Sequence, residues 1–461
     1  MRDAECCRSR GWLRRNSAHR VCYGSEIDLA GNTIKIGLVG LGTVGMGVLR
    51  TLRKNAAVVR ARCGTNVEVA RVADRDAARL RACGLPPAKC SGSFQAILDD
   101  PSIEIVVEVI GGTGAAKELV TKALKAGKHV VTANKALLAS EWQGILSLAH
   151  RKKVAVGYEA SVMAGVPVIR SIEAGLAGNR IQSLFGILNG TTNFILTRMA
   201  QGLEFDQALQ EARKRGLCEA DASLDIDGYD AAQKLAILGT LSLGRRVPAA
   251  SIYREGIGQI ERFDIEEARS QFDYVLRPLA VLKRGAQVEA RVHPTFIPTH
   301  HPLAAIENEF NALLINTDTA GPITLSGKGA GEKPAASGVI SDIVEVARAI
   351  RKGDGAGTLV PAAPAAGNAR IAPIEEVQSK FYLRFSVVDR PKVLAFISGA
   401  LGRHGVSIAT CHQLGRSERG AVPLIMVTHL TREGAIRRAL SGIDASHRIV
   451  KRKTVAVRIE E

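Results

Sequence analysis

Residues 33–54 read TIKIGLVGLGTVGMGVLRTLRK, and this stretch decides the fold class of the chain. Its first seven residues form an apolar run that predicts a buried strand, and the residues from 44 onward predict a helix. A G-x-G-x-x-G turn, with glycines at Gly40, Gly42 and Gly45, joins the two. Such glycines permit a tight turn and a close approach of backbone to a pyrophosphate, and the helix start offers free N–H groups. We therefore expect a dinucleotide to bind at these three glycines.

The alternation of strands and helices continues beyond this turn. Apolar strand candidates and helical stretches follow at residues 67–73, 103–109, 115–126, 129–132 and 137–149. Strands that alternate with helices over short connections are typical of a parallel, doubly wound sheet. The sequence thus predicts an α/β fold with a Rossmann domain over residues 33–160.

Four further segments differ from this domain. Residues 161–350 combine longer helices with later strands and predict a second, α+β domain. Residues 351–377 are dominated by Pro, Ala and Gly, which is typical of a linker. Residues 378–461 follow a β-α-β-β-α-β order, the pattern of a ferredoxin-like module. Residues 1–32 show no period and no apolar stretch like that of a secretory signal, so we expect a disordered extension.

The composition excludes several classes of protein. Of 461 residues, 62 are Lys or Arg and 45 are Asp or Glu, so the formal net charge is +17. The basic residues are scattered and lack accompanying aromatic side chains for base stacking, so we expect no nucleic-acid partner. The longest wholly apolar runs are far shorter than the roughly 20 residues of a membrane span, so we expect no membrane partner. Eight cysteines without a C-x-x-C pair indicate reduced thiols and a cytoplasmic protein.

The end of the second predicted strand bears on the choice of cofactor. Asp74 follows that strand, where an acidic side chain binds the ribose hydroxyls of NAD. Arg75, directly beside it, is equally suited to the 2′-phosphate of NADP. The two residues together leave NAD and NADP open.

A lysine and a run of carboxylates are the strongest candidates for chemistry. Lys135 follows the apolar strand of VVTANKAL at its carboxyl end, where ligands of open α/β sheets bind. Residues 216–238 read GLCEADASLDIDGYDAAQKLAIL, and Lys234 lies one helical turn after Asp230, on the same face. Clustered carboxylates need a cation, which can be a metal, a lysine or a substrate ammonium. The alternative is an exposed acidic helix start with a surface ion pair.

Several long motifs occur in a fixed order along the chain. They are GLGTVG, VTANKALLA, YEASVMAGVPVIRS, GILNGTTNFILTRM, DIDGYDAAQKLAIL and ARVHPTFIP. Together they resemble homoserine dehydrogenase over residues 33–350, with 161–350 as its substrate-binding and dimerisation domain. The final module, with FYLRFSVVDRPKVLAFISGALGRHGVSIA, resembles an ACT domain, as in the long bacterial form of that enzyme.

The resemblance implies an activity and roles for individual residues. The family interconverts L-homoserine and L-aspartate 4-semialdehyde by hydride transfer with NAD or NADP, on the route to threonine, methionine and isoleucine. Lys234 matches the lysine that acts as acid and base on the substrate oxygen, and Lys135 matches a second lysine near cofactor and substrate. The remaining implied positions are Glu219, Asp225 and Asp230 for homoserine, and Thr43, Val44, Gly216 and Gly331 for the cofactor.

The resemblance also implies a metal ion, an effector and an assembly. Glu159, Val162, Ala164 and Val166 match a sodium site built mainly from backbone carbonyls. An ACT module implies a threonine effector, although Lys392 stands where a glycine is usual in the ligand loop, so an ACT dimer without a ligand is the alternative. The family implies a homo-oligomer, and we expect no fused aspartate kinase, because few residues precede Gly40.

Other interpretations remain beside this one. A non-catalytic amino-acid sensor would keep the same fold, but a degenerate relative would be expected to lose Lys135 or Lys234. A different oxidoreductase acting on another amino acid is the third hypothesis. Within residues 189–193, we expect Thr191 or Thr192 to cap the following helix by accepting its first N–H groups.

Overall fold

The computed structural model describes residues 33–218, 221–353, 365–413, 415 and 420–461. The expected N-terminal extension, residues 1–32, lies outside these described residues. Within them, no helix is both long enough and apolar enough to cross a membrane.

A six-stranded parallel sheet organises the first part of the chain. Its strands are β1 Ile34–Val39, β2 Val67–Ala73, β3 Cys90–Ser91, β4 Ile105–Glu108, β5 His129–Thr132 and β6 Val156–Gly157. They lie in the order β3-β2-β1-β4-β5-β6, and each neighbouring pair is parallel. This is the strand order of a dinucleotide-binding, doubly wound fold. The predicted Rossmann domain is confirmed.

Helices cover both faces of this sheet because its strands are apolar on both sides. The helices of this part are α1 Thr43–Lys54, α2 Ala56–Cys63, α3 Ala77–Ala82, α4 Gln95–Leu98, α5 Gly114–Lys125 and α6 Lys135–Lys152. On one face Val106 and Val130 are buried with the apolar residues of α5 and α6. On the other face Ile105 and Val107 are buried with α1 and α2. The sheet therefore holds its carboxyl ends at a fixed edge, where the candidate site lies.

The second part of the chain alternates short helices, long helices and long antiparallel strands. Its elements are α7 Ala160–Met163, α8 Val168–Arg170, a π-helical turn Ser171–Gly175, β7 Ile181–Ile187, α9 Gly190–Ala200, α10 Phe205–Lys214, α11 Ser223–Ile226, α12 Tyr229–Leu243, β8 Arg245–Arg246, β9 Tyr253–Arg254, α13 Arg262–Phe272, β10 Tyr274–Lys283, β11 Glu289–Pro298, β12 Phe310–Thr317, β13 Pro322–Lys328 and α14 Glu332–Lys352. The last part comprises β14 Ala365–Asn368, β15 Gln378–Val388, α15 Val393–Arg403, β16 Ile408–Gln413, β17 Ala421–Thr428, β18 Thr431–Arg432, α16 Glu433–Asp444 and β19 Val450–Ile459.

One large sheet joins these two parts, in the order β13-β12-β7-β10-β11-β19-β15-β17-β16. The C-terminal module, residues 378–461, contributes four antiparallel strands to this sheet, in the spatial order β19-β15-β17-β16. This is the split β-α-β arrangement. The final strand β19 pairs in parallel with β11, with Phe296 opposite Ile459. The module is therefore built into the sheet of the second domain.

Two segments differ from the expected domain limits. Helix α14, which the sequence places in the second domain, packs on the Rossmann sheet, where Val339 and Ile343 are buried beside Val48 of α1. The expected linker, residues 351–377, is packed where it is described, since β14 pairs with β8 and Val288 N donates to Arg370 O at 2.9 Å. Residues 354–364 of that linker lie outside the described residues.

Candidate active site

Two lysines from different elements meet at one carboxylate. Asp230 lies in the first turn of α12, and Lys234, one turn later, places its Nζ 2.8 Å from Asp230 Oδ2. Lys135 is the first residue of α6, directly after β5, and its Nζ lies 3.1 Å from Asp230 Oδ1. Lys234 and Asp230 are only 9% and 12% exposed, whereas Lys135 is 39% exposed. The Lys234–Asp230 pair is thus not a surface ion pair.

The charge of this group of residues is set by its two ammonium groups. Burial by itself would raise the pKa of Asp230, but Lys234 and Lys135 outweigh it and hold the pKa of this carboxyl well below its usual range. Lys234 Nζ also donates to Leu188 O at 2.7 Å. An ammonium has three N–H groups, and two are used in the described part of the chain. The third can donate to a substrate oxygen.

Asn189 is the residue of this site that the sequence pattern did not single out. Its Nδ2 donates to Asp225 Oδ1 at 2.7 Å and to Asp230 Oδ2 at 2.9 Å. Its Oδ1 accepts the backbone N–H of Thr192 at 2.8 Å and so caps α9. The side chain therefore holds the two carboxylates together from a rigid helix start. The signal for it was the Asn-Gly-Thr-Thr run, because asparagine is a preferred N-cap.

The expected cap of α9 by a threonine was wrong. Thr191 Oγ1 donates to Leu217 O at 2.8 Å, and Thr192 Oγ1 donates to Asn189 O at 3.2 Å. Both threonines lie within the first turn of α9, after Gly190, so Asn189 is the N-cap residue.

The carboxylates of the acidic run separate into two groups. Asp225 faces Asn189 and the lysines. Burial raises the pKa of Asp225, and the hydrogen bond from Asn189 and the two ammonium groups offset this only in part. Asp221 is exposed and accepts the backbone N–H of Ser223 at 2.9 Å, a local turn contact. Glu219 lies outside the described residues. Of the three expected homoserine ligands, the structure thus brings Asp225 and Asp230 together.

The glycine turn fits a pyrophosphate. Gly40 has φ +101°, and a Cβ there would lie 2.8 Å from Val109 O. A Cβ on Gly45 would lie 1.9 Å from Gly40 O, so both positions require glycine. At Gly42 the nearest atom to an added Cβ is Arg79 Nη1, at 3.7 Å, which leaves open space. Helix α1 begins at Thr43 and Val44 with no side-chain cap on its N–H groups, as phosphate binding needs.

A cavity of about 410 Å³ extends from this turn. Its lining includes Gly40, Gly42, Asp74, Arg75, Arg79 and Ile110. Asp74 accepts Leu41 N at 2.6 Å and Asp76 N at 2.8 Å, so both of its oxygens hold backbone N–H groups. Arg75 and Arg79 offer two guanidinium groups on the same cavity. Arg79 was missed by the sequence interpretation, although it lies one turn after Arg75.

A second loop beside the cavity is fixed by a buried carboxylate. Glu108, at the end of β4, accepts Ile110 N at 2.9 Å, and its other oxygen accepts Thr132 Oγ1 at 2.5 Å. Burial raises the pKa of Glu108. Asn134 Nδ2 donates to Gly112 O at 2.7 Å while its Oδ1 caps α6. Asn134 therefore ties this loop to the helix start that carries Lys135.

The remaining predicted cofactor positions lie at element ends. Gly331 has φ +106° and precedes α14, which packs on α1, the helix of the glycine turn. Gly216 has φ +68° and follows α10. The structure thus shows why glycine stands at both positions, and their contact with a cofactor stays a prediction.

The four residues expected at a sodium site lie in and around α7. Glu159 is buried, and its oxygens accept Ile169 N at 2.8 Å and Arg170 N at 3.0 Å. The one carboxylate of the set is thus used by the start of α8. Val162, Ala164 and Val166 are buried, and Val166 O accepts Val168 N at 2.8 Å. The Glu159 carboxylate therefore has a structural role at the start of α8, and a sodium ion at these four residues stays a prediction.

Comparisons with known proteins agree with this geometry. A family model described as "Homoserine dehydrogenase, NAD binding domain" matches residues 40–159, and one described as "Homoserine dehydrogenase" matches residues 167–344. The homoserine dehydrogenase of Synechocystis sp. is 39% identical over 419 residues, which cover 89% of this chain and 96% of that protein. That of Pseudomonas aeruginosa is 39% identical and covers 93% and 99%. The chain belongs to the homoserine dehydrogenase family.

Solved structures extend the likeness to the whole fold. The crystal structure of a homoserine dehydrogenase from Thiobacillus denitrificans matches with a TM-score of 0.87 and 38% identity, over 93% of this chain and 99% of that one. A hyperthermophilic archaeal homoserine dehydrogenase in complex with NADPH matches with a TM-score of 0.57 and 29% identity, over 68% and 98%. The protein is accordingly an NAD(P)-dependent oxidoreductase of amino-acid biosynthesis that acts on a CH–OH group.

Proposed function

We propose that the chain interconverts L-homoserine and L-aspartate 4-semialdehyde at the pocket around Asp230, on the route to threonine, methionine and isoleucine in the cytoplasm. The observation that carries this proposal is the convergence of Lys135 and Lys234 on Asp230, beside the carboxyl end of the Rossmann sheet. When bound, the nicotinamide supplies or accepts the hydride at the substrate carbon.

Proton transfer at the substrate oxygen falls to Lys234. Formation of an alcohol from an aldehyde needs a proton on oxygen, and an ammonium can donate it while it stabilises the developing alkoxide. Lys234 is held by Leu188 O and Asp230, so its remaining N–H has a fixed direction. Lys135 adds a second positive charge from the cofactor side of the pocket. Asp225 and Asp230, joined by Asn189, suit the substrate ammonium, with Glu219 as the third expected ligand.

The basic residues at the rim of the cofactor cavity favour NADP over NAD. The two oxygens of Asp74 already accept Leu41 N and Asp76 N, so this acid helps to hold the turn. Arg75 and Arg79 line the same cavity and suit a 2′-phosphate. We therefore propose NADP as the preferred cofactor.

The direct test is homoserine-dependent reduction of NADP, followed by the absorbance of the reduced nicotinamide. We expect turnover with L-homoserine and at most trace turnover with L-serine or L-threonine as hydroxy amino acid controls. NADP reduction that does not depend on homoserine, or equal rates with all three hydroxy amino acids, would contradict the proposal and favour another oxidoreductase.

The C-terminal module is proposed to be an ACT domain with threonine as its effector. Its strand order supports the fold, and Lys392 adopts φ +74° at the start of α15, a backbone conformation that favours glycine. We expect threonine to lower the activity of the full chain, with L-serine as the control amino acid. Activity unchanged at saturating threonine would leave the module with a structural role. We also propose a homo-oligomer, which sedimentation velocity tests by a mass above that of one chain.

A further inference from the structure

A buried ion-pair network lies where the C-terminal module meets the second domain. Arg458 of β19 is 3% exposed, and its Nε lies 2.7 Å from Glu433 Oε2, within the same module. Its Nη1 lies 2.8 Å from Glu255 Oε2, which belongs to the second domain. The guanidinium is therefore shared between a carboxylate of its own module and one of the neighbouring domain.

The segment that carries Glu255 is held against the central sheet. Glu255 N donates to Val292 O at 2.9 Å, directly after β9, which pairs with β11. Two residues later, Ile257 N donates to Ile226 O at 3.2 Å. Between them, a Cβ on Gly256 would lie 3.0 Å from Ile226 O and 3.1 Å from Asp227 Oδ1. Residues 255–257 are thus packed directly against the segment that contains Ile226 and Asp227.

Residues 221–228, which include the short helix α11, form a segment that we call the substrate loop because it carries Asp225 and leads into Asp230. On its inner side Asn189 holds Asp225 at 2.7 Å. On its outer side the contacts described above come from Gly256 and Ile257. The position of Asp225 therefore depends on a segment that Arg458 fixes from the C-terminal module.

We propose that Glu255 is a positioning residue for the substrate loop, and that Arg458 of the last strand holds it in place. This rests on the proposed function, since it takes Asp225 as a ligand of the substrate. The C-terminal module would thus influence substrate binding. Arg458 of β19 contacts Glu255, and the next two residues contact the segment that carries Asp225.

The first experiment uses two glycines of the same segment. Gly256→Ala adds a methyl group against Ile226 O, whereas Gly258→Ala adds it where no heavy atom lies within 4 Å. Neither glycine has a positive φ, so the backbone accepts alanine at both. We expect Gly256→Ala to raise the KM for homoserine about fivefold, with the KM for the cofactor unchanged, and Gly258→Ala to change neither. Equal KM values for homoserine in the two variants would overturn the proposal.

The second experiment separates positioning from general stabilisation. Glu255→Gln and Glu433→Gln each remove one carboxylate charge from Arg458, and only the first lies on the segment that packs on the substrate loop. We expect Glu255→Gln to raise the KM for homoserine about threefold at little change in kcat. Glu433→Gln should lower Tm by about as much as Glu255→Gln does, and it should leave the KM for homoserine unchanged. A KM that follows Tm in both variants would show a merely structural contact.

A readout without catalysis separates this inference from the proposed function. Hydrogen–deuterium exchange of the peptide that spans the substrate loop should speed up in Gly256→Ala and Glu255→Gln, and not in Gly258→Ala or Glu433→Gln. If the loop responds while homoserine is not turned over by the wild type, the substrate assignment fails and the mechanical link stands. If homoserine is turned over and exchange is the same in all four variants, the link is wrong.

Discussion

Asp230 and Asp342 are both buried carboxylates, yet the protein gives them opposite environments. Asp230 lies between the ammonium groups of Lys135 and Lys234, at 3.1 and 2.8 Å. Asp342 of α14 shares one guanidinium, that of Arg170, at 2.8 Å, and Arg170 also pairs with Glu345 at 2.7 Å. Burial raises the pKa of Asp342 to about 8, whereas the two ammonium groups keep the pKa of Asp230 low.

The difference teaches that two ammonium groups together outweigh burial at Asp230. One shared guanidinium does not outweigh it at Asp342, where Glu159 and Glu345 raise the pKa further. The Asp230 region keeps an ionised carboxylate that holds two ammonium groups in place, and a positioned ammonium suits the proton transfer that we propose. The Asp342 region is a structural joint, in which Asp342 Oδ2 accepts Glu159 N at 2.9 Å and ties α14 to the start of α7. Four predictions test this comparison.

The largest effect is expected from Lys234→Ala. The variant loses the ammonium that we propose as proton donor to the substrate oxygen. We expect kcat to fall about 10³-fold, within the range for a general acid, with the KM for the cofactor unchanged. Lys117→Ala is the matched control, since Lys117 pairs with Glu141 at 2.9 Å at an exposed site. Steady-state kinetics decide the matter, and near-normal turnover of Lys234→Ala would remove this residue from the mechanism.

Asp230→Asn removes the charge that both lysines share. We expect kcat/KM for homoserine to fall about 10²-fold, because a lost partner leaves two ammonium groups without their common carboxylate. Asp221→Asn is the control from the same acidic run, since its contact to Ser223 N needs only an acceptor oxygen. Similar losses in the two variants would mean that the acidic run acts only through its total charge.

Asp342→Asn should change the pH dependence of stability. The folded-state pKa of Asp342 is raised, so between the unfolded value near 4 and the folded value of about 8 the native state binds more protons, and wild-type stability falls as the pH rises. Relative to the wild type, the free energy of unfolding of Asp342→Asn in urea should therefore be about 3–4 kcal/mol higher at pH ~8 than at pH ~5. A difference independent of pH would show that Asp342 is ionised throughout.

The smallest effect concerns a third carboxylate, Asp74, whose oxygens hold backbone N–H groups, and the neighbouring arginines that we propose as readers of the cofactor. Arg79→Ala and Arg75→Ala should each lower kcat/KM for NADP about fivefold, roughly 1 kcal/mol, with little change for NAD. Measurement of both cofactors with each variant decides which arginine acts. If the ratio of kcat/KM for NADP to that for NAD is unchanged in both variants, the arginines do not read the cofactor, and Asp74 becomes the candidate that contacts the ribose.

Local patterns in the sequence predicted much of the fold and part of the site. The glycine turn between β1 and α1 follows from glycine spacing, and the Lys234–Asp230 contact follows from helical periodicity. The sequence could not show that β19 would pair with β11 or that α14 would pack on α1, because both depend on contacts between distant parts of the chain. Asn189 was missed for the same reason, since its partners lie 36 and 41 residues away.

The central claim is that Lys135, Lys234 and Asp230 form the pocket in which homoserine reacts. A crystal structure of the full chain with NADP and L-homoserine tests it most directly. We predict that the homoserine hydroxyl lies within hydrogen-bond distance of Lys234 Nζ and that its ammonium contacts Asp225 or Asp230. Homoserine bound elsewhere, with the Lys234–Asp230 pair unchanged and out of its reach, would contradict this account.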